Sequence, residues 1–344
     1  MFENKVALTV GALCITALLA TTLFFWRPEG SKSAYLSAPM ANEEVPEEFR
    51  NEPIQPVPSK VNVNPAIAAL GKKLFHDPRL SANNLISCAS CHNISTAGVD
   101  GKRYSVGING IVGKLNAPTV FNSGLNPFQF WDGRATTLED QINGPLTNKH
   151  EMGTNWPEVI RKLKSDPEYR HDFSTAFQNG VTGNNISHAI AEYERTLVTP
   201  NSRFDRFLKG DTDAISPQEK HGYRLFKRYG CASCHQGAAA GGNMFERLGS
   251  VRRYFDDHPM QGPEDLGRYN ITHDENHRHY FKVPSLRNVE KTAPYFHNGS
   301  AATLEEAVKI MSFYNLGIKM PDDDVALITQ FLKTLTGEFE GRPL

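Results

Sequence analysis

The sequence of 344 residues predicts a mostly α-helical fold with long irregular loops, and three features lead to that prediction. Apolar residues recur at helical spacing in several segments that begin with a capping signal and end near Gly or Pro. Residues 98–127 are rich in Gly and Asn and lack such a repeat, which indicates a long loop. No run of alternating apolar residues is convincing as a strand.

Six segments carry the helical pattern together with a recognisable start or stop. Asn64-Pro65 is typical of an N-cap followed by proline at the first helical position. Ser216 to Glu219 and Thr303 to Glu306 are typical of capping boxes. The predicted helices are residues 65–77, 157–164, 186–197, 217–229, 304–311 and 321–335.

A pentapeptide that occurs twice matches the pattern by which proteins attach c-type haem covalently. The two copies read Cys88-Ala-Ser-Cys91-His92 and Cys231-Ala-Ser-Cys234-His235. In such a site the thiols take up the two vinyl groups of one porphyrin, and the histidine becomes the proximal ligand of the iron. A zinc site or a dithiol redox pair is the alternative, since Cys-x-x-Cys serves both. The adjacent histidine favours haem in both copies, so two covalently bound haem c groups are predicted.

Bulk composition restricts the class of partner and the disulfide content. Charged residues make up 22% of the chain and the net charge is −1, so nothing points to nucleic acid or an anionic membrane surface. Four of the five cysteines belong to the two pentapeptides, so no disulfide framework is expected. The chain length suggests two domains with one haem each, residues 64–200 and 201–344.

The N-terminal segment is predicted to be a membrane helix. Residues 6–26 carry no charge and are long enough to cross a bilayer core. A cleaved signal peptide is the alternative, but no small-x-small site follows the apolar run directly. We therefore expect residues 1–27 to be a transmembrane anchor (or signal peptide) and residues 28–63 to be a flexible linker. The rest of the chain is expected in the periplasm, where c-type haem is attached, anchored to the inner membrane.

The predicted fold class is thus mostly α, with two cytochrome c-like haem domains and long irregular loops, preceded by an N-terminal membrane helix. An electron-carrying haem has two strong axial ligands, whereas one that activates peroxide has an open face with acid-base groups nearby. Met311 is a candidate second ligand for the haem on His235, although methionines more often pack in cores. Near the other haem, residues 129–134 and Glu151 offer aromatic and carboxylate groups, but spacing alone leaves their orientation open.

Five segments together resemble the bacterial dihaem cytochrome c peroxidases. They read Leu74-Phe-His-Asp-Pro-Arg-Leu-Ser81, Ile86-Ser-Cys-Ala-Ser-Cys-His92, Ala117-Pro-Thr-Val-Phe-Asn122, Gln129-Phe-Trp-Asp-Gly-Arg134 and Pro294-Tyr-Phe-His-Asn-Gly299. The likeness runs from about residue 65 to residue 337, with the motifs in the same order. It implies reduction of hydrogen peroxide to water with electrons from a small cytochrome c or a cupredoxin, and in many relatives a homodimer.

The resemblance also implies a role for each candidate site residue. The haem on His92 is implied to be the peroxidatic centre, and the haem on His235, with Met311 as its sixth ligand, the electron-transfer centre. Trp131 matches the tryptophan that lies between the haems in the family. Gln141 matches the distal amide, and Glu151 matches the distal carboxylate that moves a proton between the peroxide oxygens.

A calcium ion at the domain junction is implied as well. Its matching ligands are Asn116 and the backbone carbonyl groups of Thr292 and Pro294. Oxygen-only ligation suits this hard cation.

One position departs from the family pattern. Many members carry a Ser-x-Gly-His segment whose histidine closes the resting peroxidatic haem, whereas this chain has Ser105-Val-Gly-Ile108. Since isoleucine has no lone pair to offer iron, we expect the first haem to be open in the oxidised protein, so that no reductive activation is needed. His76 and His150 are the candidates for a replacement ligand.

The departure keeps two other functions open. Relatives that lack the closing ligand include dihaem oxidases that modify tryptophans on a partner protein. These carry a tyrosine at the position of Met311, so the methionine favours a peroxidase. The third interpretation is a non-catalytic dihaem electron carrier or sensor.

Overall fold

A computed structural model describes residues 45–344, in which helices alternate with long irregular stretches and short 3-10 turns. The helices are α1 (Pro65–Phe75), α2 (Leu138–Thr147), α3 (Trp156–Ser165), α4 (Pro167–Ala176), α5 (Gly183–Thr196), α6 (Arg203–Leu208), α7 (Pro217–Arg228), α8 (Tyr254–Asp257), α9 (Tyr269–Thr272), α10 (Leu304–Ile310) and α11 (Asp322–Lys333). The strands are β1 (Phe245–Arg247), β2 (Tyr280–Lys282), β3 (Glu338–Phe339) and β4 (Arg342–Pro343). The six predicted helices are present and differ from the prediction only at their ends.

The predicted fold class is wrong in placing a membrane helix before the haem domains. No helix between residues 45 and 344 combines the length and the apolar character needed to cross a bilayer. The longest one described, α5, has 14 residues and includes charged side chains, whereas a span needs about 20 mostly apolar residues. Residues 6–26, on which the prediction rested, lie outside the described residues. What the structure supports is a chain of helices and irregular loops.

Each haem motif follows a helix that packs closely against a later helix, and a glycine lies at the point of contact. α1 begins at the predicted cap, where the Asn64 side chain accepts hydrogen bonds from the first free backbone N–H groups. It packs on α5 so closely that a Cβ on Gly71 would lie 1.7 Å from the carbonyl oxygen of Ala189. α7 packs on α11 in the same way, since a Cβ on Gly222 would lie 2.0 Å from the carbonyl oxygen of Leu327. Each of the two motifs therefore follows the first helix of a similar, closely packed helix pair.

The buried apolar residues form two large clusters. One contains side chains between residues 67 and 197, and Phe339 and Leu344 from the C-terminal end pack against it. The other contains Ile54 and side chains between residues 204 and 335. The domain boundaries at residues 64, 200 and 344 stay a prediction.

Residues 52–57, which fall in the predicted linker, are packed against the rest of the chain. Ile54 and Val57 have no exposed surface. The carbonyl oxygen of Pro53 accepts a hydrogen bond from the Gly237 N–H at 2.8 Å, directly after the second haem motif. Residues 28–44 lie outside the described residues.

The sequence missed the short strands and five helices, which are α2, α4, α6, α8 and α9. β1 and β2 are antiparallel and pair Phe245 with Lys282, while β3 and β4 pair only two residues each. Strands of two or three residues are too short for an alternating pattern to be visible. α2 was missed because it contains Gly144 and Pro145, which usually end helices.

Candidate haem sites and active site

Both pentapeptides adopt the same local fold. Their first three residues form the 3-10 turns Cys88–Ser90 and Cys231–Ser233. The backbone N–H groups of His92 and His235 donate to the carbonyl oxygen of the first cysteine at 2.9 and 3.1 Å. Each histidine is therefore held one turn after its cysteine, as attachment of a single porphyrin requires.

Both histidine rings are oriented so that one nitrogen is free. Nδ1 of His92 lies 3.3 Å from the carbonyl oxygen of Gly98, and Nδ1 of His235 lies 3.4 Å from that of Ala240. Because a carbonyl oxygen only accepts, Nδ1 carries the proton and Nε2 keeps the lone pair that binds a metal. Burial lowers the pKa of His92, and it lowers that of His235 to about 4, so both rings are neutral at pH 7.

No disulfide joins the four cysteines of the pentapeptides, and burial opposes ionisation of their thiols. Burial raises the pKa of Cys88 to about 12 and that of Cys231 to about 11. A reactive dithiol needs a thiolate, so this alternative is disfavoured. In addition, no group of three or more His, Cys, Asp or Glu side chains within residues 45–344 is arranged to hold a metal ion.

A cavity of about 390 Å³ lies at the second pentapeptide, and its lining suits an iron porphyrin. His235 and Met311 both line it, and apolar side chains such as Phe226 and Leu286 form much of its wall. Met311 directly follows α10 and begins a short π-helical turn, Met311–Asn315, a feature common at functional sites. The structure thus brings the predicted sixth ligand to the cavity of the predicted proximal ligand.

Buried polar atoms without partners surround the first pentapeptide. Oδ2 of Asp100, whose charge acts on His92, has no hydrogen-bond partner in the described part of the chain. The same is true of Oε2 of Glu194, whose charge acts on Cys88. Such atoms are rare in folded proteins and are expected where a bound group completes a site. The two carboxyl groups therefore mark the first motif as an incomplete site.

Glu151 lies beside the first haem motif. Its Oε1 accepts a hydrogen bond from Nδ2 of Asn148 at 2.6 Å, and its carbonyl oxygen accepts one from the Ile108 N–H at 2.8 Å. Burial raises the pKa of the Cys91 thiol, and the negative charge of Glu151 contributes, which places the carboxyl near this motif. Burial also raises the pKa of Glu151 itself, opposed by the Asn148 hydrogen bond and the charge of Arg134. The side chain is nevertheless exposed.

Gln141 is half-buried on α2, whose end is tied to the segment of Glu151. The backbone N–H of Met152 donates to the carbonyl oxygen of Pro145 at 3.1 Å. No hydrogen bond joins Gln141 to Glu151 within residues 45–344. The structure therefore connects the two residues through the backbone and not through their side chains.

Trp131 lies in the wall of the His235 cavity and joins three segments. Its Nε1 donates to the carbonyl oxygen of Asn116 at 2.9 Å, and its own carbonyl oxygen accepts from the Lys282 N–H at 2.7 Å. The ring centroid lies 6.4 Å from that of His297, edge to face. Hydrogen bonds on both sides thus hold the indole in one place.

The three residues matched to a calcium site all line this cavity: Asn116, Thr292 and Pro294. Nδ2 of Asn116 donates to the carbonyl oxygen of Lys102 at 2.9 Å, which fixes the orientation of the amide. Oδ1 accepts no hydrogen bond from residues 45–344. The atoms that these three residues can offer to a cation are therefore oxygen atoms only.

The position of the missing closing histidine is filled by buried isoleucine. Ile108 packs on Gly153 and is tied to Glu151 by the backbone hydrogen bond described above. Of the two candidate replacements, His76 is exposed and its Nδ1 lies 2.9 Å from the carbonyl oxygen of Lys72. His150 is exposed next to Glu151. Neither is assigned as a ligand by any contact in the structure.

Arg134, in the segment from Gln129 to Arg134, stacks its guanidinium carbon 3.4 Å from the centroid of the Phe130 ring. Sequence reasoning missed two other charged side chains close to these sites. Glu194 and Lys282 are buried beside the first and second motif respectively. A single charged residue in an amphipathic helix or in a short strand gives no sign in the sequence that it is buried. Nothing in the sequence therefore pointed to Glu194 or Lys282.

Two covalent haem sites in a mostly helical chain define a dihaem c-type cytochrome. A family model for di-haem cytochrome c peroxidases matches residues 65–213. The cytochrome c551 peroxidases of Nitrosomonas europaea and Pseudomonas aeruginosa are 46% and 39% identical, and the matches cover 84% and 90% of this chain and 85% and 92% of theirs. The chain therefore belongs to the di-haem cytochrome c peroxidase family, and it is an enzyme with two haem c groups.

Two further comparisons agree with this membership. The cytochrome c peroxidase of Escherichia coli is 48% identical over 87% of this chain, but the match spans only 64% of that longer protein. A crystal structure of a MauG-like protein associated with microbial copper homeostasis has a TM-score of 0.73 and 29% identity, and the match covers 83% of this chain and 93% of that one. The fold and the family assignment thus rest on nearly the whole described chain.

The buried carboxyl of Glu194 predicts an unusual pH dependence of stability. The residue is only 6% exposed, and burial raises its pKa to about 8, opposed by the charge of Arg195. Between pH 4.5 and 8 the unfolded chain loses this proton while the folded chain keeps it, so stability falls as the pH rises through this window. In wild type the free energy of unfolding should fall by about 1.4 kcal/mol per pH unit at most. We expect this fall to be absent in Glu194→Gln. Denaturant unfolding at pH 4.5, 6 and 8 measures it.

Glu139 provides a matched control with the opposite sign. Although burial opposes it, hydrogen bonds with His188 and Arg195 lower the pKa of Glu139 to about 2. This stabilisation is present above pH 4.5 and is lost as the pH falls toward 2, so Glu139→Gln should destabilise the protein at pH 6 and 8. Equal effects of both substitutions at pH 8 would contradict the assignment of Glu194.

Proposed function

We propose that this chain reduces hydrogen peroxide to water in the bacterial periplasm, with electrons from a small cytochrome c or a cupredoxin. One observation carries the proposal: the two haem motifs have different surroundings. His235 shares its cavity with Met311, whereas the motif of His92 lies beside the carboxyl of Glu151 and has Ile108 where a closing ligand would stand. One haem is therefore suited to carry electrons and the other to react. We assign residues 64–200 to the reacting domain and residues 201–344 to the electron-transfer domain.

Glu151 is assigned the proton transfer. The haem bound at His92 supplies the open metal position and the electrons. Reduction of one peroxide to two waters consumes two electrons and two protons, and a carboxyl beside the peroxide can take a proton from one oxygen and give it to the other. The Asn148 hydrogen bond holds Oε1, which leaves Oε2 for this transfer. The amide of Gln141 is assigned to orient the peroxide.

Electrons are proposed to enter at the haem of His235 and Met311, because thioether ligation favours a high reduction potential. Trp131 lies in the wall of that cavity and is hydrogen-bonded to Asn116, which precedes the Ala117–Asn122 segment of the first domain. The indole is therefore proposed to lie on the path to the haem of His92.

A calcium ion held by Asn116 and the carbonyl groups of Thr292 and Pro294 is part of the same proposal. The free Oδ1 of Asn116 and the shared position of the three residues at the cavity wall support it. A hard cation there would fix the segment that accepts the Trp131 hydrogen bond.

The proposal includes activity without reductive activation, and Ile108 tests it. We expect the fully oxidised wild-type protein to show a high-spin ferric signal in low-temperature EPR and to turn over peroxide without a lag. Ile108→His should replace much of this signal by low-spin haem and introduce a lag that prior reduction removes. Ile108→Val, which offers no ligand, is the control and should behave as wild type.

Two outcomes would contradict this part of the proposal. One is an oxidised wild-type protein with low-spin signals only, and the other is a lag in wild type that prior reduction abolishes. A protein that reacts with peroxide but does not turn over with a reduced donor would instead favour oxidation of a partner protein, and no reaction at all would favour an electron carrier. Met311 at the second cavity is the observation that favours the peroxidase over both.

A further inference from the structure

Lys282 is a buried cation in the cavity of the second haem. It ends β2, its side chain is 8% exposed, and it lines the same cavity as His235 and Met311. Its backbone N–H donates to the carbonyl oxygen of Trp131, and Phe245 pairs with it on β1. Within residues 45–344, its Nζ forms no hydrogen bond or ion pair, and burial alone accounts for its lowered pKa of about 8.

An unpaired buried ammonium group indicates an absent anionic partner. Lysine is almost never fully buried without a partner, because removing the charge from water is costly. At pH 7 a group with a pKa of about 8 is still mostly protonated, so the charge persists in the cavity. Haem carries two propionate carboxylates, and a haem attached at Cys231 and Cys234, which line the same cavity as Lys282, would bring these charges to it.

We propose that the ammonium group of Lys282 binds a propionate of the haem attached at His235 and raises the reduction potential of that haem. A fixed positive charge in a weakly polar cavity favours the reduced iron, which carries one positive charge fewer. The inference rests on attachment of one of the family's two haem c groups at His235, and not on the proposed peroxidase reaction. Lys282 would therefore influence the difference in reduction potential that drives electron transfer between the two haems by way of Trp131.

The test is a spectroelectrochemical titration of the holoenzyme with Lys282→Met and Lys282→Arg. We expect Lys282→Met to lower the potential of the Met311-ligated haem by about 59 mV, a tenfold change in its reduction equilibrium. The haem on His92 should keep its potential, and Lys282→Arg should stay near wild type. Because the Trp131 hydrogen bond involves the backbone of Lys282, the substitutions leave it in place.

Lys319→Met is the matched control, since it removes the same charge from an exposed position next to Met320, which also lines the cavity. Solvent screens that charge, so the potentials should not change. Resonance Raman spectra of the wild-type holoenzyme provide a second measurement if Lys282→Met binds haem poorly. Propionate bending bands should then report a hydrogen-bonded carboxylate that is retained in Lys282→Arg.

Three results would overturn the inference. They are an unchanged potential in Lys282→Met, propionate bands of a free carboxylate in the wild type, and a potential that follows the chloride concentration, which would make the partner a free anion. Loss of peroxide turnover in any variant bears on the proposed function and not on this pairing.

Discussion

Replacing Glu151 by glutamine is expected to slow peroxide turnover by about 10²- to 10⁴-fold while both haems stay bound. Glutamine keeps the shape of the side chain and a polar group near Asn148, but it cannot take up and release a proton. The raised pKa of Glu151 brings its proton affinity closer to neutral pH, which suits a group that must both accept and donate. Steady-state turnover with a reduced small cytochrome c measures the loss.

The loss should be confined to the chemical step. Reduction of the His235 haem by the donor should keep its wild-type rate, and the haem content should be unchanged. Glu158→Gln is the control, because Glu158 is paired with Arg161 on the surface of α3 and should have no effect on turnover. A Glu151→Gln protein that keeps more than half of the wild-type rate would remove Glu151 from the proton transfer.

The local elements of this fold were predictable because their signals are local. The Asn64 cap, the Ser216 capping box and the Thr303 cap each act within one helical turn, and each is present in the structure. The haem pentapeptides are likewise local, since one turn holds both cysteines and the histidine. Short-range patterns of this kind do not depend on the rest of the chain.

What the sequence could not show depends on contacts between distant segments. The burial of Lys282 depends on β1 and on Trp131, and that of Glu194 depends on the packing of α5 beside the first haem motif. The tie between Ile108 and Glu151 joins two loops and leaves no periodic trace. The membrane helix was inferred only from the apolar run of residues 6–26, and no feature of the sequence indicates how that run packs.

The site was only partly predictable for the same reason. His92 and His235 follow from the pentapeptides themselves, whereas the roles of Met311, Trp131 and Glu151 came from the family resemblance. The structure places Met311 and Trp131 at one cavity and Glu151 beside the other motif. Their roles stay predictions until the experiments above are done.

A buried ion pair ties the segment before α1 to the second haem motif. Arg287 and Asp205 have no exposed side-chain surface, and Nη1 of Arg287 lies 2.8 Å from Oδ1 of Asp205. Nε of Arg287 also donates to the carbonyl oxygen of Ala238, three residues after His235, and Nη2 donates to that of Gln55, both at 2.7 Å. One guanidinium group therefore holds three segments together.

Arg287→Met is expected to lower the free energy of unfolding of the holoprotein by about 3–5 kcal/mol, because it leaves the Asp205 carboxylate buried without a counter-charge. Denaturant unfolding measures the loss, and hydrogen exchange at residues 53–57 should accelerate, since the Gln55 carbonyl oxygen loses its Arg287 donor. The control is Arg278→Met, which breaks the exposed pair with Glu275 and should change little. The double variant Arg287→Met, Asp205→Asn should recover much of the loss, because no unpaired charge then remains buried and the amide oxygen can still accept from the Val57 N–H. If the single and double variants are equally unstable, packing and not the stranded charge carries the effect.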